Sequence, residues 1–184
     1  RRSSGPHGGA GGHQAFIANV IPLGGTTYTA DSGSNGNAKA GNVSFRSNIA
    51  KLAANVTVQT QGTGGGNDGA ISFNGAVDAT AAETLTLTAD TGTVSVAAIG
   101  QTKALGGFTV STGTGTTNLD GNISVDGDGK AIDIDRDGIV LHRDVTLDSD
   151  DGNVSINDLA GTGNSPRSEE RPGGKGGRTR RRPA

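Results

Sequence analysis

The chain has 184 residues, with 33 glycines, no cysteine, no methionine, no tryptophan and only 3% aromatic residues. This composition excludes a disulfide framework, a cysteine-based zinc site and a thick aromatic core. The net charge of −2 conceals an asymmetry: residues 3–164 hold 7 basic and 16 acidic side chains, whereas residues 165–184 hold 7 basic and 2 acidic ones.

Taken in chain order, residues 1–14 are rich in Gly, His and Ser without an apolar period, and are expected to form a disordered head. The chain opens on Arg1 and reads as a fragment, so the lack of a signal peptide carries no argument about export. The apolar stretch Ala15–Leu23 is broken by Asn19 and Pro22 and is too short to span a bilayer. The body, residues 15–164, repeats one phrase: GNVSF at Gly41–Phe45, GAISF at Gly69–Phe73, GTVSV at Gly92–Val96, GNISV at Gly121–Val125 and GNVSI at Gly152–Ile156. In each, a glycine turns the chain and two apolar residues flank a serine, so both apolar side chains face one way.

A second strand type lies between these phrases, at Asn55–Val58, Thr84–Thr88, Phe108–Val110 and Val145–Leu147. Weaker strand candidates are Thr27–Thr29, Ile132–Ile134 and Ile139–Leu141. Helical periodicity is confined to at most one turn at Ala79–Glu83. The inward pairs expected from the alternation are Val43/Phe45, Val56/Val58, Ile71/Phe73, Leu85/Leu87, Val94/Val96, Phe108/Val110, Ile123/Val125 and Val154/Ile156. The tail, residues 165–184, has no apolar side chain except the terminal Ala184 and is expected to be disordered.

Short, evenly spaced strands fit either a β-sandwich or a β-solenoid. Near-verbatim repetition, small paired inward residues and scarce aromatics favour the solenoid, in which each rung adds one strand per face. The run Gly69–Val125 resembles the β-strand repeats of filamentous-haemagglutinin-like bacterial adhesins and large exoproteins, and the likeness extends over about Pro22–Gly161. The resemblance implies a right-handed parallel β-helix, export to the cell surface or medium, and a stalk or adhesive role. Neighbouring repeats of a longer chain and host glycans or proteins would be its partners. It brings no catalytic residues.

The acidic segment Asp120–Asp158 holds 11 of the 16 acidic residues of the body. Within it, Asp133–Asp144 matches the spacing of a calcium loop: Asp133, Asp135 and Asp137 at positions 1, 3 and 5, Gly138 at 6, the Ile139 carbonyl at 7 and Asp144 at 12. Aspartate at position 12 resembles the dockerin form of the loop. Asp148–Asp158 is similar but one residue short before its glycine. The alternative is a set of solvated acidic turns, because Val145–Ser149 alternates as a strand where such a loop needs a helix.

A polysaccharide-acting enzyme is a further alternative, with carboxylates among Asp126, Asp128, Asp133 and Asp135 flanking a sugar. The nearby sequence offers only Lys130, Arg136 and His142 as partners and no aromatic residue, so no catalysis is expected. His142 reads as a surface residue, and His7 and His13 as parts of a flexible head. Gly62–Gly69 lacks the Lys-Ser/Thr ending of a phosphate loop. The N-x-S/T triplets at Asn42, Asn55, Asn122 and Asn153 follow from the strand alternation and are assigned no role. Arg178–Arg182 has no interleaved aromatics for stacking on bases, so nucleic acid is not an expected partner.

Overall fold

The computed structural model describes residues 11–32, 38–63, 68–111, 113–126, 131–135 and 138–157. The described residues fold as six stacked rungs of short strands. The first rung holds β1 (Gln14–Ile17), β2 (Val20–Leu23) and β3 (Thr27–Thr29), and the second β4 (Val43–Arg46), β5 (Ile49–Leu52) and β6 (Val56–Gln59). The third holds β7 (Ile71–Phe73), β8 (Ala76–Ala79) and β9 (Thr84–Thr88), and the fourth β10 (Val94–Val96) and β11 (Gly107–Ser111). The fifth holds β12 (Thr117–Leu119), β13 (Ile123–Ser124) and β14 (Ile132–Asp135), and the sixth β15 (Ile139–Leu141), β16 (Leu147–Asp148) and β17 (Val154–Asn157).

Every paired strand is parallel to its neighbour. The order β1-β4-β7-β10-β12-β15 makes the first face, and β3-β6-β9-β11-β14-β17 the third. The second face runs β2-β5-β8, passes through bridges at Ile99, and continues as β13-β16. This is a parallel β-helix. A sandwich built from antiparallel hairpins is excluded by the uniformly parallel registers.

The rungs close because alternate side chains fill one narrow interior. Val43, Phe45, Ile71, Leu85, Val94, Phe108, Ile123 and Ile132 are all completely buried. Each such side chain stabilises the rod by about 1.5–3 kcal/mol relative to exposure. Phe16, Phe45 and Phe73 stack along the axis with ring centroids 5.0 and 4.4 Å apart, and Tyr28 meets Phe45 edge-on at 5.7 Å.

The recurring phrase has a physical basis at each position. Gly41, Gly69, Gly92 and Gly115 follow one another at the corner before the first face, and a Cβ on any of them would strike the carbonyl oxygen of the preceding rung. The asparagine after the glycine bonds forward: Asn42 Oδ1 accepts the Ala70 amide at 2.8 Å, and Asn122 Oδ1 accepts the Thr146 amide at 3.0 Å. Asn55 Oδ1 accepts the Thr84 amide at 2.9 Å in the same way. These side chains therefore stitch successive rungs at the corners.

The structure departs from the expectation in several places. The phrase is not tied to one face: GNVSF, GAISF and GTVSV lie on the first face, GNISV on the second and GNVSI on the third. Val145–Leu147 leads into β16 on the second face, away from the other members of its strand type. Both phrases are general strand starts, a tight corner followed by in–out alternation, so any face accepts them. The first face continues instead through Thr117–Leu119, whose buried Thr117 hides the apolar pattern.

Of the expected inward pairs, Val154/Ile156 is not buried. Val154 is 44% exposed on β17, which pairs with β14 alone among the described strands. The rod also starts earlier than Ala15: Gln14 belongs to β1, and the Gly11 amide donates to the Lys39 carbonyl at 2.8 Å. The rest of the expected head, residues 1–10, and the tail, residues 165–184, lie outside the described residues.

Ala79–Glu83 is not a helical turn. Ala79 ends β8 and the chain then bends, with the Glu83 carboxylate accepting the Ala81 amide at 2.7 Å, the Thr80 amide at 2.9 Å and the Thr80 hydroxyl at 3.0 Å. These bonds, the Ala81 amide foremost, hold the Glu83 carboxyl below its ordinary pKa.

Candidate functional site

With the described interior filled, the chemistry of the rod lies on its outer columns. On the first face the outward residues align as Ala15, Ser44, Ser72, Ser95, Asn118 and Val140. The Ser72 hydroxyl donates to Ser44 at 3.0 Å, and the Asn118 amide donates to Ser95 Oγ at 3.1 Å. On the third face two columns run side by side. One reads Thr27, Thr57, Thr86, Thr109, Asp133 and Ser155, and the other Thr29, Gln59, Thr88, Ser111 and Asp135.

An open groove of about 530 Å³ lies at the corner between the first and second faces. Small residues such as Gly75 and Ala97 make its floor, and Ser72, Asn74, Asp120 and Arg143 stand around it. His142 and Asp120 occupy successive rungs of this corner, with Nδ1 and Oδ1 2.5 Å apart and both side chains well exposed. His142 is thus paired, which the sequence reading missed. The available signal was the spacing of 22 residues, equal to the offset between Thr117 and its partner Ile139.

A second groove, of about 320 Å³, sits at the corner between the third and first faces and is lined by Asp31, Gln61, Asp68 and Asp90. Two of its carboxylates, Asp31 and Asp68, accept hydrogen bonds from neighbouring segments. Asp31 accepts the Gln61 amide at 2.8 Å and the Gln59 side-chain amide at 3.1 Å, and Asp68 accepts the Thr91 amide at 2.7 Å as well as the Gly62 amide.

The calcium-loop candidates are distributed over two faces. Asp133 and Asp135 lie on β14, where Ile132 and Ile134 point inward and the two aspartates alternate outward. Ile139 begins β15 on the first face, paired with Thr117, and Asp144 is exposed between β15 and β16. Gly138 has a φ of 84° at the corner between them. Asp137 lies outside the described residues, as does Asp128 of the carboxylate set considered for sugar hydrolysis. Among the described residues, no three His, Cys, Asp or Glu side chains stand together as a metal-binding group.

One buried carboxylate was not singled out from the sequence. Asp78 on β8 is 2% exposed, and its Oδ1 accepts the Thr102 amide at 3.0 Å. Residues 100–104 replace a second-face strand in the fourth rung and lie across Asp78. The strap is anchored by the Gly100 amide on the Val77 carbonyl at 2.7 Å and the Ala79 amide on the Lys103 carbonyl at 3.1 Å. This carboxylate serves as a structural acceptor for a segment that has left the ladder.

No helix among the described residues is long and apolar enough to cross a membrane. No family model, curated protein or solved structure matches the chain, so the likeness to filamentous-haemagglutinin-like repeats stands on the recurring phrases alone.

Proposed function

We propose that the chain is a structural and adhesive segment of a bacterial surface or secreted exoprotein. It acts as a stiff spacer whose outer columns touch host glycans or proteins. The observation that carries this reading is the division of labour in the rod: inward side chains are consumed by the core, while Ser, Thr, Asn and Asp are repeated outward in register. A parallel rod of this kind gains length by adding rungs and offers the same lateral surface at each step. The corner groove beside Asp120 and Arg143 supplies a mixed donor and acceptor set for polar ligands.

The test is retention of beads coated with the chain on epithelial cells and on an array of neutral and sialylated glycans, against albumin-coated beads. The adhesive reading predicts retention above albumin, reduced at least threefold by Asp120→Ala combined with Arg143→Ala in a chain with an unchanged melting curve. Retention equal to albumin on every surface rejects it.

A further inference from the structure

Asn74 and Gly75 form the corner that joins β7 to β8, and both line the groove that Asp120 and Arg143 also line. Asn74 is exposed, and its side-chain amide makes no hydrogen bond to any described residue. By contrast, Asn48 donates to Asn19, and Asn42 and Asn122 accept amides of the next rung. The main chain at this corner is pinned on both sides of Gly75. The Asn74 amide donates to the Phe45 carbonyl at 3.1 Å, and the Ala76 amide to the Asn48 carbonyl at 3.0 Å. Gly75 precedes the Ile49–Ala76 pair and so stands in register with Asn48, whose amide donates to the Asn19 carbonyl at 3.1 Å. The Gly75 amide itself makes no hydrogen bond to any described residue.

Packing requires glycine at this position, because a Cβ on residue 75 would strike the Ser47 carbonyl oxygen. The same lack of a side chain leaves the Gly75 nitrogen unshielded beside the Asn74 side chain. The other described asparagines are followed by Val, Ile, Leu or Asp, whose side chains crowd the following amide. Comparable steps elsewhere are occupied. Gly62, after Gln61, donates its amide to the Asp68 carboxylate, and Gly152, after Asp151, donates its amide to the Ser149 carbonyl at 2.7 Å. Asp120, before Gly121, has its carboxylate paired with His142. The Asn74–Gly75 step therefore combines a free side-chain amide, an adjacent unbonded nitrogen with no side chain to shield it, and access for solvent.

We infer that Asn74–Gly75 is a self-modifying step that places a new carboxylate on the wall of the corner groove. The Gly75 nitrogen gives up its proton and attacks Asn74 Cγ. The N–Cγ bond forms, the Cγ–Nδ2 bond breaks, and Nδ2 leaves as ammonia. Water then opens the cyclic imide at either of its two carbonyl carbons and returns the proton to the Gly75 nitrogen. Opening at Cγ leaves aspartate at position 74. Opening at the main-chain carbonyl leaves isoaspartate, with the main chain routed through Cβ. Closure is intramolecular and uses no co-reactant except water. Either product adds one negative charge to the groove lined by Asp120 and Arg143. The inference stands on this corner alone and does not depend on the adhesive reading.

The test keeps the whole chain in mildly alkaline buffer at body temperature and samples it over weeks. Tryptic digestion releases Leu52–Lys103, and fragment spectra locate the change within it. The expected result is a pair of isomeric products at position 74, aspartate and isoaspartate, accumulating at least about tenfold faster than any change at Asn42 or Asn122. A more acidic species should appear on ion exchange at the same rate. Asn74→Gln keeps the amide but lengthens the ring that must close, and should slow formation of that species at least about tenfold. Far-UV circular dichroism verifies that the variant folds. The same chain held in unfolding urea supplies the reference rate, and the folded chain is expected to stay within about tenfold of it because the Gly75 amide is unbonded. A slower folded-state rate, or a rate at Asn74 no greater than at Asn42, overturns the inference. So does aspartate without isoaspartate, which would mean that water, rather than the Gly75 nitrogen, attacks Cγ.

Discussion

Truncating Phe45 should release the first two rungs from the rest of the rod. The Phe45 ring is completely buried, stacked 5.0 Å from Phe16 and 4.4 Å from Phe73, with Tyr28 edge-on at 5.7 Å. Phe45→Ala removes a buried aromatic from a narrow interior that cannot collapse around it, at a cost of about 3–5 kcal/mol. Loss of three ring contacts, each contributing about 0.5–1.5 kcal/mol beyond area, places the effect at the upper end of that range. Phe16→Ala, at the open end with a partly exposed ring, should cost roughly 1–2 kcal/mol. Because each rung contacts only its neighbours, the damage stays local. Tyr28 is the only tyrosine and the chain lacks tryptophan, so its fluorescence reports on the first rung. Urea titrations should show the Tyr28 transition of Phe45→Ala at lower urea than the transition seen by far-UV circular dichroism. Coincident transitions, or a loss under about 1 kcal/mol, would refute the axial stack as a major source of stability.

Three other outcomes follow from the same geometry. Val94 is fully buried on the first face, so Val94→Asp should bury an unpaired charge, cost more than about 3 kcal/mol and lower the melting temperature sharply. Gly92→Ala drives a Cβ into the Gly69 carbonyl and should cost at least about 1–3 kcal/mol. By contrast Gly12→Ala, in the same column but with nothing within 4 Å, should leave the melting curve unchanged. Glu83 has a folded-state pKa below its ordinary value, so its contribution is present above the unfolded pKa and is lost as pH falls through the folded one. Glu83→Gln should therefore melt below wild type at neutral pH, and the gap should close on acidification. A gap that stays constant to pH 3 would show that the Glu83 hydrogen bonds do not set its pKa.

The alternation of apolar residues was enough to predict a solenoid and seven of the eight inward pairs, because a period of two leaves little freedom in which side chains face the core. The assignment of strands to faces was not legible. GNISV and GNVSI look like first-face strands, yet they belong to the second and third faces, since the local chemistry of a corner is the same at each. The second face was largely unseen. β2 is apolar at all four positions, which hides the alternation that buries Ile21 and Leu23, while β5 and β8 pair a large side chain with an alanine, Ala50/Leu52 and Val77/Ala79, and β8 adds the buried Asp78. The asparagines of the N-x-S/T triplets appeared to be by-products of alternation. Three of them are rung-to-rung hydrogen-bond acceptors, a role that depends on partners 24–29 residues away. Likewise Asp120 and His142 meet only once the rung length is known, and the acidic loop spacing of Asp133–Asp144 is divided when the corner at Gly138 separates two faces.

The central claim is that the first-face residues Ala15, Ser44, Ser72, Ser95, Asn118 and Val140 form one axial column. The chain has no native cysteine, so spin labels can be placed at chosen pairs without background. Pulsed dipolar spectroscopy on Ala15→Cys/Asn118→Cys and Ala15→Cys/Val140→Cys measures the column directly. Four and five rung steps predict backbone separations of about 19 and about 24 Å, the second longer by one rung. Two narrow distributions in that order are the predicted result. Broad distributions, or a 15–140 distance equal to or shorter than the 15–118 distance, would contradict the stacked parallel rod.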